Sequence, residues 1–241
     1  MDFDVRNERW ARWYRCSLCE QWHHGVVICA LAWASWKTYL SRPETDTCRR
    51  TAMMGLGNSL FQVDPAAATN VLEAELAAMK RLGADKMEIV ATQSNLAGCY
   101  HAQGKSELAL ELQRECYNIH KDCFGEEPDT FRLAANLART LVQQDHYDEA
   151  VTLAREQYHA ARRALGPDRD VSLSLAHAFA MALTCAGPQC APRTLTDFRE
   201  AESVLIDALP RFRRVMGNLH PSTRKARNLL DKIKSRLQEV A

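Results

Sequence analysis

The chain has no apolar run long enough to cross a bilayer. Its most apolar stretch, Val26 to Trp36, is 11 residues long and stops at Lys37. A span needs about 20 residues, so a buried helix is expected there, with no membrane partner. Charge of one sign is also missing: 31 Lys and Arg stand against 30 Asp and Glu, +1 overall. That balance removes any global pull toward nucleic acid or an anionic surface, and the locally basic tail from Arg211 to Arg236 reads as a solvated helix face. Helix breakers are scarce, with 10 glycines and 8 prolines, and alanine-rich runs favour helix. A hydrophobic content of 46% with 25% charged residues excludes wholesale disorder. The start, Met1-Asp2-Phe3-Asp4, lacks the positive flank of a secretory signal.

Catalytic signatures are missing too. There is no Gly-rich phosphate loop, no H-E-x-x-H and no G-x-S-x-G, and Cys116 and Cys123 fall on the core side of a helical pattern, where a thiol is inert. No enzyme is expected. The 9 cysteines are odd in number and follow no framework spacing. They are expected to be reduced thiols of a cytosolic or nuclear protein, with the cytoplasm as the favoured home.

What is present is a period. Leu82-Gly83, Phe124-Gly125, Leu165-Gly166 and Met216-Gly217 are separated by 42, 41 and 51 residues, and Ser41 lies 42 before Gly83. Regular steps of this size mark an array of small helical units. Within one step, Ile89, Leu96, Ala97 and Tyr100 keep helical spacing until Gln103-Gly104-Lys105. Leu108, Ala109, Leu112, Cys116 and Ile119 then form a second helix. The next step repeats the plan with Leu133, Leu137, Ala138 and Leu141, a turn at Asp145-His146-Tyr147, and Ala150, Leu153, Tyr158 and Leu165. Each pair of amphipathic helices is a hairpin that buries its remaining apolar face on its neighbour.

Ser94-Asn95-Leu96-Ala97-Gly98-Cys99-Tyr100, Gln103-Gly104-Lys105, Glu107-Leu108-Ala109, Asp148-Glu149-Ala150 and Leu165-Gly166-Pro167-Asp168 together resemble the tetratricopeptide repeat of the kinesin light chain type, whose period is near 42. The resemblance implies an all-α, right-handed α-α superhelix over residues 26–241. Its units would be a half hairpin at 26–40, hairpins at 48–82, 86–124, 129–165 and 170–216, and a capping helix at 221–241. Val63-Asp64-Pro65 replaces the usual turn in the second. The 51-residue step reflects a ten-residue insertion around 186–192. Leu229, Leu230, Ile233 and Leu237 would be the buried side of the cap.

Arg132, Asn136, Arg139 and Gln143 lie at i, i+4, i+7 and i+11, on a face away from Leu133, Leu137 and Leu141. Asn95 is the equivalent of Asn136 one step earlier, and His177 one step later. The resemblance implies that first helices line a concave groove and that such asparagines hold a peptide by its backbone. An amide both donates and accepts, and arginine offers a fork to a carboxylate. An acidic or C-terminal peptide of a partner protein is therefore the expected ligand; a merely solvated face is the plainer alternative. Leu173 and Ala180 replace the two arginines in the next unit, so the polar groove is expected to fade at His177.

Residues 1–25 carry Cys16-Ser17-Leu18-Cys19, and two thiolates of a tight turn can share a zinc ion. The run from Trp13 to Gln21 resembles the end of a RING-CH type zinc finger, but the six upstream ligands are missing from residues 1–15. Two readings stand: a metal-free turn with no cofactor, or a zinc site at Cys16 and Cys19. The corresponding functions are a non-catalytic adaptor and a divergent or truncated RING-CH type ubiquitin ligase that selects substrate with its array. Trp10, Trp13, Trp22, Trp33 and Trp36 crowd this end. Most are expected to cap the stack, and an exposed patch among them would allow self-association.

Overall fold

The computed structural model describes residues 10–16, 18, 23, 25–61, 63–185 and 193–240. Among them the chain is all-α: α1 (Gly25–Tyr39), α2 (Thr47–Leu60), α3 (Pro65–Arg81), α4 (Lys86–Ala102), α5 (Ser106–Phe124), α6 (Pro128–Gln143), α7 (Tyr147–Leu165), α8 (Asp170–Thr184), α9 (Leu195–Met216) and α10 (Pro221–Val240). The repeat glycines follow helix ends: Gly83, Gly125, Gly166 and Gly217 all have positive φ, between 64° and 91°, which a side chain would strain. Two compact units divide the chain, residues 1–109 and 110–241, with the boundary inside α5.

In the first unit, aspartates start three successive helices. Asp46, Asp64 and Asp85 each accept two backbone N–H bonds of the following turn, at 2.7–3.1 Å. Each such cap stabilises its helix by about 1 kcal/mol. The Val63-Asp64-Pro65 turn works because Asp64 caps and Pro65 opens α3. α1 packs on α2, α2 on α3 and α3 on α4. Gly57 lets α2 approach α3 closely, since a Cβ there would lie 2.6 Å from a methyl of the fully buried Leu72.

The stretch Val26–Trp36 is helical but not buried. α1 hides only Ala32 and Ser35, while Val26, Val27 and Trp33 are exposed. Its principal neighbour is α2, and one neighbour covers one face of an all-round apolar helix. Cys29 is only half-buried, and its thiol donates to the Ser59 carbonyl at 3.1 Å. Of the tryptophans, Trp10 stacks on Tyr39 at 5.3 Å and Trp36 lies under the Arg49 guanidinium. Trp22 lies outside the described residues.

The second unit is built on small residues. Ala134, Ala135, Ala138, Ala150, Ala154, Ala161, Ala178, Ala180, Ala182 and Ala226 have no exposed surface, and Phe131, Phe179 and Phe212 fill the spaces between. α6 packs on α7 and α8, α8 on α7 and α9, and α10 on α9 and α8. Each first helix thus meets its own second helix and the next first helix. In α10 the buried side is Thr223, Ala226, Leu230 and Ile233, with Leu229 and Leu237 half-buried. In α5, Cys116 is buried and its thiol is pushed up to about 12 by desolvation. Cys123 is exposed instead of facing the core. A heptad drifts about 20° around a straight helix, and Cys123 sits in the last turn.

The second helices are cross-linked by charge. Arg114 reaches Glu149 at 2.6 Å and Lys121 reaches Glu156 at 3.8 Å. One repeat later Arg155 reaches Glu200 at 2.7 Å and Arg162 reaches Asp207 at 2.6 Å. The basic tail joins in, because Arg211 and Arg214 both pair with Asp168. Most of these pairs are exposed and individually contribute little, Arg162–Asp207 being half-buried.

One buried group stands out in the first unit. Glu75 of α3 is 3% exposed, and its Oε2 has no hydrogen-bond partner. Burial raises its carboxyl to about 7, against a smaller downward pull from Arg50. The folded chain therefore keeps a proton that the unfolded chain sheds above its ordinary value of 4.5. Stability from this group is full below pH 4.5 and is lost as pH rises through 7, by on the order of 3 kcal/mol. Glu75→Gln should match the parent at pH 4 and exceed it at pH 8 in paired thermal and urea melts. A constant offset between the two proteins across that range would refute the assignment.

Candidate functional site

The four polar residues expected on α6 do share one side of that helix, but they do different things. Arg132, near the helix start, is exposed and pairs with Asp129 at 3.1 Å. Arg139 is half-buried: one guanidinium nitrogen donates to Ser174 Oγ at 3.1 Å and the other to Asn136 Oδ1. The Asn136 acceptor is thus committed to orienting Arg139, which leaves its amide N–H groups as its offer to a ligand. Gln143 is exposed at the end of α6. Asn95 is half-buried on α4, in the first unit.

Arg139 and Gln143 border a cavity of about 540 Å³ whose other walls come from α8, α9 and α10. Ser174, His177 and Met181 of α8 form one side, Ser222 and Lys225 of α10 the opposite one, and Phe212 and Met216 of α9 the apolar remainder. The polar surface does not fade at His177. Leu173 and Ala180 are buried, but Ser174 and Met181, one residue further along α8, reach the cavity. Among the described residues no carboxylate lines it.

Arg139, fixed by its two hydrogen bonds, and the exposed Lys225 therefore face a space without a counter-ion among the described residues. Desolvation lowers the Arg139 guanidinium from its ordinary value, although it remains charged at neutral pH. Burial first, and then the charges of Arg139 and Lys225, push His177 down to about 4. His177 is neutral at pH 7 and offers one donor and one acceptor. Chemically the site suits an anion: a carboxylate or phosphate oxygen would restore the solvation that Arg139 lost on burial. Ser222 and Lys225 were legible only through the long step, since adding 51 residues to Ser174 gives Lys225.

At the front of the chain, Cys16 is half-buried and Cys19 lies outside the described residues. Among the described residues no group of three or more His, Cys, Asp or Glu side chains could hold a metal ion. No helix of these residues is long and apolar enough to cross a membrane.

The architecture is a stack of helical hairpins of the tetratricopeptide class. Residues 88–158 match the tetratricopeptide repeat family model. Among solved structures, a kinesin light chain protein of Podosopora anserina with nearly identical TPR-like repeats is similar at a TM-score of 0.62 and 20% identity, over 78% of this chain and 87% of that one. BtubC (BKLC) of P. vanneervenii is similar at 0.54 and 16%, over 88% and 90%. A Rap protein complexed with competence and sporulation factor is similar at 0.56 and 17%, over 88% of this chain and 59% of that one. No curated protein sequence matches the chain. The expected kinesin light chain-like fold is therefore the observed one.

The neutral state of His177 has a measurable consequence. Its ordinary value is 6.5, so between about pH 6.5 and 4 the unfolded chain takes up a proton that the folded chain refuses. Stability falls as pH drops through that window, by on the order of 3 kcal/mol. The groups facing the imidazole are Arg139 from α6 and Lys225 from α10, and both oppose its protonation. Imidazole NMR should show His177 still neutral at pH 5.5, and saturating sulfate should raise its midpoint. A midpoint near 6.5 with or without the anion would refute the geometry.

Proposed function

We propose that the protein is a non-catalytic adaptor that holds a segment of a partner protein by a carboxylate. The receptor is the cavity between α6, α8, α9 and α10. One observation carries the reading: among the described residues Arg139 lacks the acidic partner that Arg114, Arg155, Arg162, Arg211 and Arg214 all have. A half-buried guanidinium held only by neutral groups is poised to exchange weak bonds for a charge-assisted pair. Its two protein partners fix its direction while leaving its charge unspent.

The tetratricopeptide fold supports a protein-interaction role, and the Rap relative is complexed with a factor. In this reading Lys225 supplies the second charge and His177 a neutral hydrogen bond. Asn136 and Gln143 contact the backbone of the segment, and Arg132 extends the footprint toward the start of α6. Asn95 takes the equivalent role within the first unit. The ligand is acidic or ends in a free carboxylate, and the protein works in the cytoplasm.

A peptide array with free and amidated C-termini, followed by titration calorimetry, tests this. Free-acid or acidic peptides should bind, and Arg139→Ala should weaken them about 10- to 100-fold, as expected for one lost charged hydrogen bond. Lys225→Glu should weaken them further, Arg132→Glu only by a small factor. Equal binding of amidated neutral peptides, or indifference to Arg139 and Lys225 together, would sink the proposal.

A further inference from the structure

The first unit contains a second cavity, of about 200 Å³, between α2, α3 and α4, and Glu75 borders it. Its remaining polar wall is made mainly of acceptors. Thr51 has spent its hydroxyl proton on the Thr47 carbonyl at 2.8 Å, and Thr92 has spent its own on the Met79 sulfur at 3.6 Å. Both oxygens retain lone pairs and have no proton left to give. Arg50, also at the wall, is held by both carboxylate oxygens of Glu88 at 3.2 and 3.3 Å. That pair commits the Arg50 guanidinium to Glu88, so its charge acts on Glu75 only from a distance and Glu75 Oε2 stays buried and unpartnered.

Such a site asks for a donor with positive charge. Two features narrow the class further. The cavity is smaller than the 300 Å³ or so of drug-sized pockets, so it takes one side chain. Met54, Met79 and Met87 line it, and thioether chains fit loosely around an alkyl stem. The unpartnered Glu75 Oε2 and the two hydroxyl oxygens make three acceptors, a match for the three N–H groups of a compact ammonium. A planar guanidinium fork is the longer and more rigid group to fit in so small a space. Exposed Ala91 and Glu88 at the wall give the side chain an entrance.

We propose that this cavity receives the ammonium group of a lysine side chain from a partner peptide, with Glu75 as counter-ion and Thr51 and Thr92 as acceptors. The site is distinct from the anion cavity and does not rest on it. Entry of the cation draws the proton off Glu75, which burial holds at about 7, and the released proton goes to solvent.

The test uses the full chain with methyl-labelled methionine and Nα-acetyl-lysine N-methylamide as probe. The Met54, Met79 and Met87 methyl signals should shift saturably at pH 8. The uncharged norleucine analogue should bind at least about tenfold more weakly, as should the lysine probe to Glu75→Gln, for the loss of one charged hydrogen bond. Arg139→Ala should leave lysine binding unchanged, so failure of the anion site and failure of this one are separable. Equal shifts with lysine and norleucine probes would overturn the proposal, because they mark an apolar cavity only. So would the absence of saturable shifts in the wild type, a guanidinium analogue binding more tightly than lysine, or a folded Glu75→Gln variant that binds as the parent does.

Discussion

Close approach of helix axes at fully buried small residues is the constraint on which the rest depends. A first helix must touch both its own partner and the hairpin before it, as α8 does with α9 and with α7 and α6. Only residues without bulk allow three neighbours at that distance. The zero-exposure alanines of α6 to α10, and Gly57 against Leu72 in the first unit, provide it. Large side chains then fill the remaining gaps, with Phe131, Phe179 and Phe212 completely enclosed. Burying each such ring stabilises the fold by about 1.5–3 kcal/mol, but the benefit exists only after the alanines have set the spacing.

That spacing also sorts charge. On the second helices, successive repeats bring Arg and Lys beside Glu and Asp, and the pairs Arg114–Glu149 and Arg155–Glu200 occupy matching places one repeat apart. On the facing first helices of the second unit, Arg139 finds Ser174 and Asn136 instead of an acid. In that unit the same stacking rule thus yields self-neutralised second helices beside a first-helix cation with charge to spend. Burial strengthens the difference, since a cation partly withdrawn from water gains more from an anion than an exposed one does.

The fold was largely legible because its signals are local. Leu133, Leu137 and Leu141 recur at helical spacing and are all buried, and the glycines after Leu82, Phe124, Leu165 and Met216 all have positive φ. Exposure at the edges was not legible. A period tells which face of α1 is apolar, namely every face, but not how many neighbours will cover it, and Val26 stays 81% exposed. Cys123 failed for a related reason, since position on a helical wheel says nothing of whether a neighbour reaches the last turn. The anion cavity was half legible. Arg139 and Gln143 stand out on α6, whereas Ser222 and Lys225 hide behind a long repeat step, and His177 looked like the end of a groove instead of part of its wall.

Glu75 and His177 show what such sites cost the fold, and in opposite directions. Each is an ionisable group that burial holds in its neutral form, one by keeping a proton and the other by refusing it. Above pH 7 the first unit must ionise a buried carboxyl or forgo stability. Below pH 6.5 the second must resist charging an imidazole already facing two cations. Neither group contributes to packing what a leucine or methionine of similar size would, and the alanine-spaced core around them does not need a polar residue at either place. On the two readings proposed above, a ligand that pairs with Glu75 itself or, beside His177, with Arg139 and Lys225 would offset that cost. Stability near neutral pH and the two proposed binding preferences, one for a cation and one for an anion, thus rest on the same buried groups.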